Sequence, residues 1–226
     1  MNAVIFGATG MVGQAVLRTC LADPAVDRIV LVLRTPVPDT DPRIVQIIHR
    51  DFHDFSSLAG DLADLEVCLF CLGVTSAGKK EPEYRRVTFD ITLTAARVLA
   101  DVNPGMVFEY VSGQGTDSSE RGRVMWARVK GETENAVIAL PLRGYGIRPG
   151  FIRPMIGVRS KTRFYAAAYR ALGWLYPMLA RVAPNHVITS EELGRAMLAI
   201  AARRPDERIF DTASMKALIA DDRPTR

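Results

Sequence analysis

Three glycines near the amino terminus, each three residues from the next, constrain the fold of this chain more than any other feature. Gly7, Gly10 and Gly13 follow an apolar run at residues 3–6 and open a helix-like segment at 11–21. A strand, a glycine turn and a helix in this order direct the unpaired N–H groups of the helix towards a bound phosphate. Gly7 is expected to permit the tight turn, Gly10 to admit a pyrophosphate and Gly13 to let the helix pack closely on the sheet. We therefore predict a dinucleotide-binding turn at the start of the chain.

Strand-like and helix-like runs alternate along the rest of the sequence, which predicts a parallel sheet with crossover helices. Further strands are expected at residues 28–33, 44–48, 67–72, 106–111, 142–148 and 208–210, the one at 142–148 being broken by Gly144 and Gly146. Helices are expected at 55–63, 83–101, 126–140, 161–182 and 190–203, the last with Ser190 as its N-cap, and a short one at the carboxyl end. The predicted fold class is α/β, a doubly wound parallel sheet of the Rossmann type. Residues 1–226 form a single domain, to which residues after about 150 contribute a small, mostly helical cap.

The end of the second predicted strand bears on the choice of dinucleotide. An acidic residue there would bind the adenosine ribose hydroxyls and favour NAD, whereas arginine can pair with the 2′-phosphate of NADP. Here the strand ends in Leu33 and Arg34, and the next acidic residue is Asp39. We therefore predict NADP, with NAD as the less favoured cofactor. Arg34 as a solvated charge, or as a residue that stacks on adenine, stays open.

Three further motifs follow later strands of the predicted sheet. Trp126 and Lys130 lie in an aromatic-x-x-x-Lys-Gly-Glu pattern, shortly after the strand that ends in Tyr-Val-Ser-Gly at 110–113. The chain also contains Cys-Leu-Gly-Val-Thr at 71–75 and Arg-Pro-Gly at 148–150. With the glycine turn, these motifs resemble the short-chain dehydrogenase/reductase superfamily in its atypical or extended branch, the NAD-dependent epimerase/dehydratase type included. The match is similar to the Tat-interacting-protein oxidoreductase group and covers residues 1–155.

The resemblance implies positions for the cofactor. Asp51 and Phe52 follow the third strand, where family members contact adenine. Residues 71–75 would run beneath the pyrophosphate and the nicotinamide ribose, and residues 148–150 would lie near the nicotinamide. Together with the glycine turn, the predicted cofactor contacts are Gly7, Thr9, Gly10, Met11, Val12, Gly13, Arg34, Asp51, Phe52, Leu72, Gly73, Val74, Lys130, Arg148, Pro149 and Gly150.

The resemblance also implies a catalytic Ser–Tyr–Lys set, from which this chain departs. Lys130 matches the family lysine, but Trp126 replaces the tyrosine, and an indole N–H is no acid or base near neutral pH. Gly113 stands where the family often has its catalytic serine, so Ser112 would serve only with a shift of one residue. The predicted catalytic residues are accordingly Lys130, Ser112 and the replaced position Trp126. Other hydroxyls remain open: Ser118 and Ser119 in the following loop, Tyr84 as a substitute phenol, Tyr145, and Tyr110, which is expected in the core.

Three functions follow from these residues. The leading hypothesis is an NADP(H)-binding protein that has lost the usual proton relay and serves as a sensor or regulator. An active NADP-dependent oxidoreductase or epimerase with a non-standard proton donor is the first alternative, because the cofactor itself carries hydride chemistry. A protein–protein interaction module is the second, since an aromatic stripe at 164–176 would form an apolar patch if it were exposed.

Composition limits the partners and the cell compartment. The formal net charge is +4 with scattered arginines, and no apolar run reaches the roughly 18 residues of a membrane span, so neither nucleic acid nor a membrane is expected as partner. We expect a small-molecule substrate or a protein partner, and a monomer or homodimer. Cys20, Cys68 and Cys71 form no disulfide framework, and Cys68 and Cys71 are predicted to be buried core thiols; a reducing cytoplasm is therefore expected. The histidines at 49, 53 and 186 lack metal-ligand spacing and are predicted at the surface or in loops.

Overall fold

A seven-stranded parallel sheet forms the centre of the protein in the computed structural model, which describes residues 1–153 and 183–221. The strand order is β3-β2-β1-β4-β5-β6-β9, and a separate parallel pair is formed by β7 and β8. This architecture confirms the predicted Rossmann-type α/β fold. The strands are β1 (Asn2–Phe6), β2 (Arg28–Leu33), β3 (Ile44–Ile48), β4 (Val67–Phe70), β5 (Val107–Val111), β6 (Arg143–Arg148), β7 (Phe151–Arg153), β8 (Val187–Thr189) and β9 (Ile209–Asp211).

Helices cover both faces of the sheet, as a parallel sheet requires. They are α1 (Met11–Ala22), α2 (Glu81–Arg85), α3 (Ile91–Val102), α4 (Met125–Ile138), α5 (Ser190–Arg203) and α6 (Thr212–Ala220). A π-helical segment, Arg86–Asp90, joins α2 to α3, so the expected long helix is continuous but locally widened. Short 3₁₀ turns occur at Ser56–Leu58 and Pro184–His186.

Alternate residues of each strand enter two separate apolar layers. Ala3 and Ile5 of β1 pack with α1, α5 and α6, whereas Val4 and Phe6 pack with α3. Glu109 of β5 interrupts this pattern, because its carboxyl group is fully buried and neither oxygen has a hydrogen-bond partner among the described residues. Burial raises the pKa of the Glu109 carboxyl well above its usual value, which favours the protonated form of this group.

The strand order reverses between β1 and β4, which opens a crevice at their carboxyl ends. Successive strands run outwards from β1 in one direction and from β4 in the other. Such a reversal is the usual ligand site of open α/β sheets. It brings the glycine turn after β1 beside the segment after β4, because Gly7 lies against the backbone of Leu72.

Several local predictions were wrong. Residues 55–63 form only the 3₁₀ turn Ser56–Leu58, in a stretch that contains two serines and a glycine, all poor helix formers. β6 is continuous through its two glycines. They are there for packing: an added Cβ would lie 2.9 Å from the Val137 carbonyl oxygen at Gly144 and 2.7 Å from the Glu134 carboxyl at Gly146.

The amino-terminal cap of α5 is also one residue earlier than predicted. Thr189, not Ser190, is the N-cap: its hydroxyl accepts from the Glu192 N–H at 3.1 Å, and the Glu192 carboxylate accepts from the Thr189 N–H at 2.8 Å. The strands β7 and β8 were not predicted at all. The predicted helical segment at 161–182 and its aromatic stripe at 164–176 lie outside the described residues, as do residues 222–226.

Candidate functional site

The glycine turn between β1 and α1 is held together by close backbone contacts. Gly7 has φ +80°, and an added Cβ would lie 2.7 Å from the Leu72 nitrogen. A Cβ at Gly13 would lie 2.2 Å from the Gly7 carbonyl oxygen. Gly10 differs, because the same oxygen, 3.3 Å away, is the only neighbour that its Cβ would meet within 4 Å. Two of the three glycines are thus needed for packing, whereas Gly10 has one close backbone neighbour.

The amino terminus of α1 is unprotected by any side chain. Gly10 is its N-cap, without a side-chain cap hydrogen bond, and the first turn contains no acidic residue. The first N–H groups of a helix have no intrahelical partners and form the positive end of the helix dipole. This end of α1 is therefore suited to an anionic group.

A groove of about 630 Å³ lies at this helix terminus. Seven of the sixteen predicted cofactor residues line it: Gly7, Thr9, Gly10, Arg34, Phe52, Leu72 and Gly73. Cys71, from the stretch 71–75 expected beneath the pyrophosphate, also lines it, as do residues that were not predicted: Val32, Leu33, Thr35, Pro36 and Val37. Several of these belong to the loop after β2, where no motif marked them. The groove joins the glycine turn to the end of β2, the path expected for the pyrophosphate and adenosine of a dinucleotide.

Arg34 provides the positive charge at the β2 end of this groove. Its side chain is exposed, and its guanidinium carbon lies 6.0 Å from the centroid of the Phe52 ring. None of the residues that line the groove is acidic. Asp39 lines a separate cavity alongside α1, and the Asp51 carboxylate accepts from the His53 N–H at 2.9 Å without lining the groove. The electrostatics of the groove therefore favour an anion.

Lys130 lies on α4 and contacts the backbone directly after β5, outside the residues that line the groove. Its ammonium group donates to the carbonyl oxygen of Ser112 and lies 4.0 Å from the point that a Cβ of Gly113 would occupy. Burial is the main cause that lowers the pKa of Lys130 to about 8, and the Glu134 carboxylate partly opposes this by raising it. Lys130 thus loses its proton more readily than an exposed lysine does.

The Ser112 hydroxyl is engaged by protein groups, and its catalytic role stays a prediction. Its side chain is buried; the hydroxyl contacts the Glu134 carboxylate and lies 3.1 Å from the Ile147 carbonyl oxygen. Ser118 likewise accepts a contact from the Arg148 guanidinium.

Trp126 packs against the loop that follows β5. A Cβ at Gly115, which has φ +87°, would lie 3.3 Å from the indole ring. The phenols offer no exposed substitute among the described residues: Tyr84, Tyr110 and Tyr145 are each buried to 98% or more. Burial raises the pKa of Tyr110 well above its usual value, and its expected place in the core is confirmed.

Arg148, Pro149 and Gly150 contact protein groups in the described structure. The Arg148 guanidinium pairs with the buried Glu134 carboxylate, with its Nε 3.1 Å from both oxygens. The Pro149 carbonyl accepts from the Gln114 N–H at 2.9 Å, and the Gly150 N–H donates to the Thr212 hydroxyl at 2.8 Å. Met11, Val12, Gly13 and Val74 do not line the groove either, so their cofactor contacts stay predictions.

The cysteines differ in their surroundings. Cys20 and Cys68 are fully buried, and burial raises the pKa of the Cys20 thiol to about 12 and that of Cys68 well above its usual value. Cys71 is only half-buried and lines the groove, which corrects the expectation of a core position.

The described residues include no helix long and apolar enough to cross a membrane.

The sequence has curated relatives in fungi. It is 30% identical to "Protein FMP52, mitochondrial" of Saccharomyces cerevisiae over 168 residues. These aligned residues cover 72% of this chain and 69% of that protein. It is 31% identical over 190 residues to "Protein fmp52, mitochondrial" of Emericella nidulans, which covers 79% of this chain and 78% of that protein. No family model matches the sequence. The expected cytoplasmic location is wrong by this comparison, because these relatives are named mitochondrial.

Solved structures with the same fold are more distant in sequence. MoeE5, in complex with UDP-glucose and NAD, superposes with a TM-score of 0.66 at 13% identity, covering 98% of this chain and 81% of that one. The UDP-N-acetylglucosamine 4-epimerase from Bacillus cereus gives a TM-score of 0.64 at 13% identity, covering 93% and 78%. These likenesses confirm the resemblance to epimerase/dehydratase-type short-chain dehydrogenases at the level of the fold.

Proposed function

The chain belongs to the family of the FMP52 proteins, and from this premise we propose that it binds NADP(H) as an atypical short-chain dehydrogenase-like protein without the tyrosine proton donor. The observation that carries this proposal is the groove of about 630 Å³ between the uncapped amino terminus of α1 and Arg34. The α1 N–H groups would hold the pyrophosphate, and Arg34 would pair with the 2′-phosphate. When bound, the nicotinamide would donate or accept hydride.

The residues present fit this cofactor. Gly10 adds no side chain to the space in front of the α1 terminus, and no carboxylate among the groove residues would repel a phosphate. The apolar side chains of Val32, Val37 and Phe52 offer a surface for the adenine ring. Lys130 would lie on the nicotinamide side, as the family resemblance implies.

A sensor or regulatory role is the first form of this function. Trp126 cannot exchange a proton near neutral pH, and the tyrosine side chains at 84, 110 and 145 are buried. A protein that binds the dinucleotide but turns it over slowly would report the cofactor level to a protein partner or to a small-molecule site.

An NADP-dependent oxidoreductase or epimerase is the second form, and one observation favours it. Lys130 has a pKa lowered to about 8 by burial, which is within the range where a side chain exchanges protons at physiological pH. A small carbonyl compound or a hydroxyl-bearing small molecule would be the corresponding substrate.

The experiment that tests cofactor binding compares NADPH with NADH by titration calorimetry. We expect NADPH to bind more tightly, and Arg34→Ala to remove roughly 1.5–3 kcal/mol of its binding free energy, the contribution of one charge-assisted hydrogen bond. Arg50→Ala is the matched control, because Arg50 is exposed on the loop after β3 and does not line the groove. Equal affinities for the two cofactors, or equal effects of the two substitutions, would overturn the role of Arg34.

A further inference from the structure

The side chains near Lys130 leave few groups that can give a proton to a bound substrate. Ser112 turns its hydroxyl to Glu134, and Trp126 carries no acid. Tyr84 on α2 and Tyr110 on β5 are buried to 98% or more. His186 lies beyond β6 in the loop before β8, with its Nδ1 2.5 Å from the Gln114 amide nitrogen. Among the described residues, Lys130 of α4 is the titratable side chain that contacts the first backbone carbonyl after β5.

The position of Lys130 is fixed by its contact with the backbone. The Ser112 carbonyl accepts one of its three N–H bonds, which leaves two for other partners. Gly113 has φ +124° and no side chain, so no hydroxyl stands beside the ammonium group as it would with a serine at this position.

A buried ion pair lies one helical turn from Lys130. Glu134 is on the same face of α4, at the i+4 position, and its carboxylate contacts Arg148 from β6 and Ser112 from β5. The charged groups of α2 that contact α4 pair with other residues of that helix, Arg85 with Glu132 and Glu81 with Arg128. Glu109 of β5 is fully buried, and only Glu134 acts on the Lys130 pKa by its charge. Glu134 is thus the carboxylate that acts on Lys130, and Arg148 offsets part of its charge.

We propose that Lys130 itself donates the proton to the oxygen of a carbonyl substrate, and that Glu134 is a positioning residue for Lys130. The proposal rests on the NADP(H) site proposed above and deepens its oxidoreductase form. Bound NADPH would supply the hydride for the carbonyl carbon and would leave as NADP⁺. The Lys130 ammonium transfers a proton to the oxygen, so that an alcohol forms, and solvent reprotonates the neutral amine.

The first measurement separates this proposal from cofactor binding. NADPH titration of the wild-type protein tests the proposed function. If NADPH does not bind, the proposed function is wrong, and the role of Lys130 in NADPH-dependent reduction is wrong with it. Competitive acetylation with acetic anhydride from pH 6 to 11, followed by mass spectrometry of the Lys130 peptide, measures the proton affinity of Lys130 without any turnover. We expect half-protonation near pH 8. A value like that of exposed lysines, in a protein that binds NADPH, would overturn the proposal.

The second measurement is the pH dependence of NADPH oxidation with 4-nitrobenzaldehyde as the probe carbonyl compound. The wild-type rate should fall above about pH 8, as the ammonium loses its proton. Lys130→Arg keeps a positive charge but cannot release a proton in this range, so NADPH affinity should change less than about tenfold while the rate falls at least about 100-fold. No turnover by a wild-type protein that binds NADPH, or an arginine variant within tenfold of its rate, would overturn the proposal.

Glu134 and Glu132 provide a matched pair of variants on one helix. Glu134→Gln removes the negative charge that raises the proton affinity of Lys130, so both the labelling curve and the falling limb should move to lower pH. Glu132→Gln breaks the pair with Arg85 and should leave both curves unchanged. A merely structural role would alter stability without moving either curve, and equal shifts in the two variants would exclude the positioning role.

Discussion

Replacing Gly10 by valine should abolish dinucleotide binding without unfolding the protein. Gly10 has φ −79° and ψ 168°, an extended conformation open to any residue, and the carbonyl oxygen of Gly7, at 3.3 Å, is the one neighbour its Cβ would meet. Loss of glycine as N-cap costs about 1 kcal/mol of stability at most. The added side chain would instead fill the space before the α1 terminus, where the pyrophosphate is expected.

The expected loss of binding free energy can be calculated from the hydrogen bonds to phosphate that the valine side chain would block. Each charge-assisted bond between an N–H group and a phosphate contributes about 1.5–3 kcal/mol, so losing even one weakens Kd by roughly tenfold to 100-fold. Titration calorimetry with NADPH measures this, and urea denaturation measures stability in the same samples.

Gly13→Ala is the control that shares the motif but not the expected effect. Its Cβ would lie 2.2 Å from the Gly7 carbonyl oxygen, so the turn must shift, at a cost of roughly 1–3 kcal/mol or more. We expect Gly13→Ala to lose stability, and Gly10→Val to lose binding. If Gly10→Val bound NADPH like the wild type, the groove would not be the pyrophosphate site. If it unfolded like Gly13→Ala, the glycine would serve packing alone.

Three further predictions concern the proton site, a buried acid and a helix cap. Trp126→Tyr should raise NADPH-dependent reduction of small aldehydes by about 10² to 10⁴-fold in single-turnover assays, because Lys130 would lower the pKa of the new phenol; an unchanged rate would refute this. A serine at Gly113 is a poorer test, since φ +124° strains any side chain there. Glu109→Gln should gain stability over the wild type as pH rises above 4.5, because the raised pKa of Glu109 makes the wild type lose up to about 1.4 kcal/mol per pH unit; urea denaturation at pH 5 and pH 8 checks this, and equal slopes would contradict it. Thr189→Ala should cost about 1 kcal/mol in the same assay, through loss of its capping bond to α5, and an unchanged unfolding midpoint would show that the cap contributes little.

The order of elements and the glycine turn were predictable because their signals are local. Apolar runs, helix periodicity and the glycines at 7, 10 and 13 each depend on residues close together in sequence. The strand order needs more than these local signals, because it also depends on general rules for how parallel strands are connected. That Trp126, four residues before Lys130, has no acidic proton is likewise visible in the sequence, since it follows from residue identity alone.

The directions of side chains at the carboxyl edge of the sheet depended on tertiary structure. Ser112 follows β5, and whether its hydroxyl faces Lys130 or Glu134 depends on strand register, which a shift of one residue reverses. The pairing of Glu134 with Arg148 joins a helix to a strand that follows it in the chain, and no local pattern marks it. The lowered pKa of Lys130 arises from burial by all of these elements together. Sequence thus determined which chemical groups are present, and packing alone decided which of them meet and how far water is excluded from them.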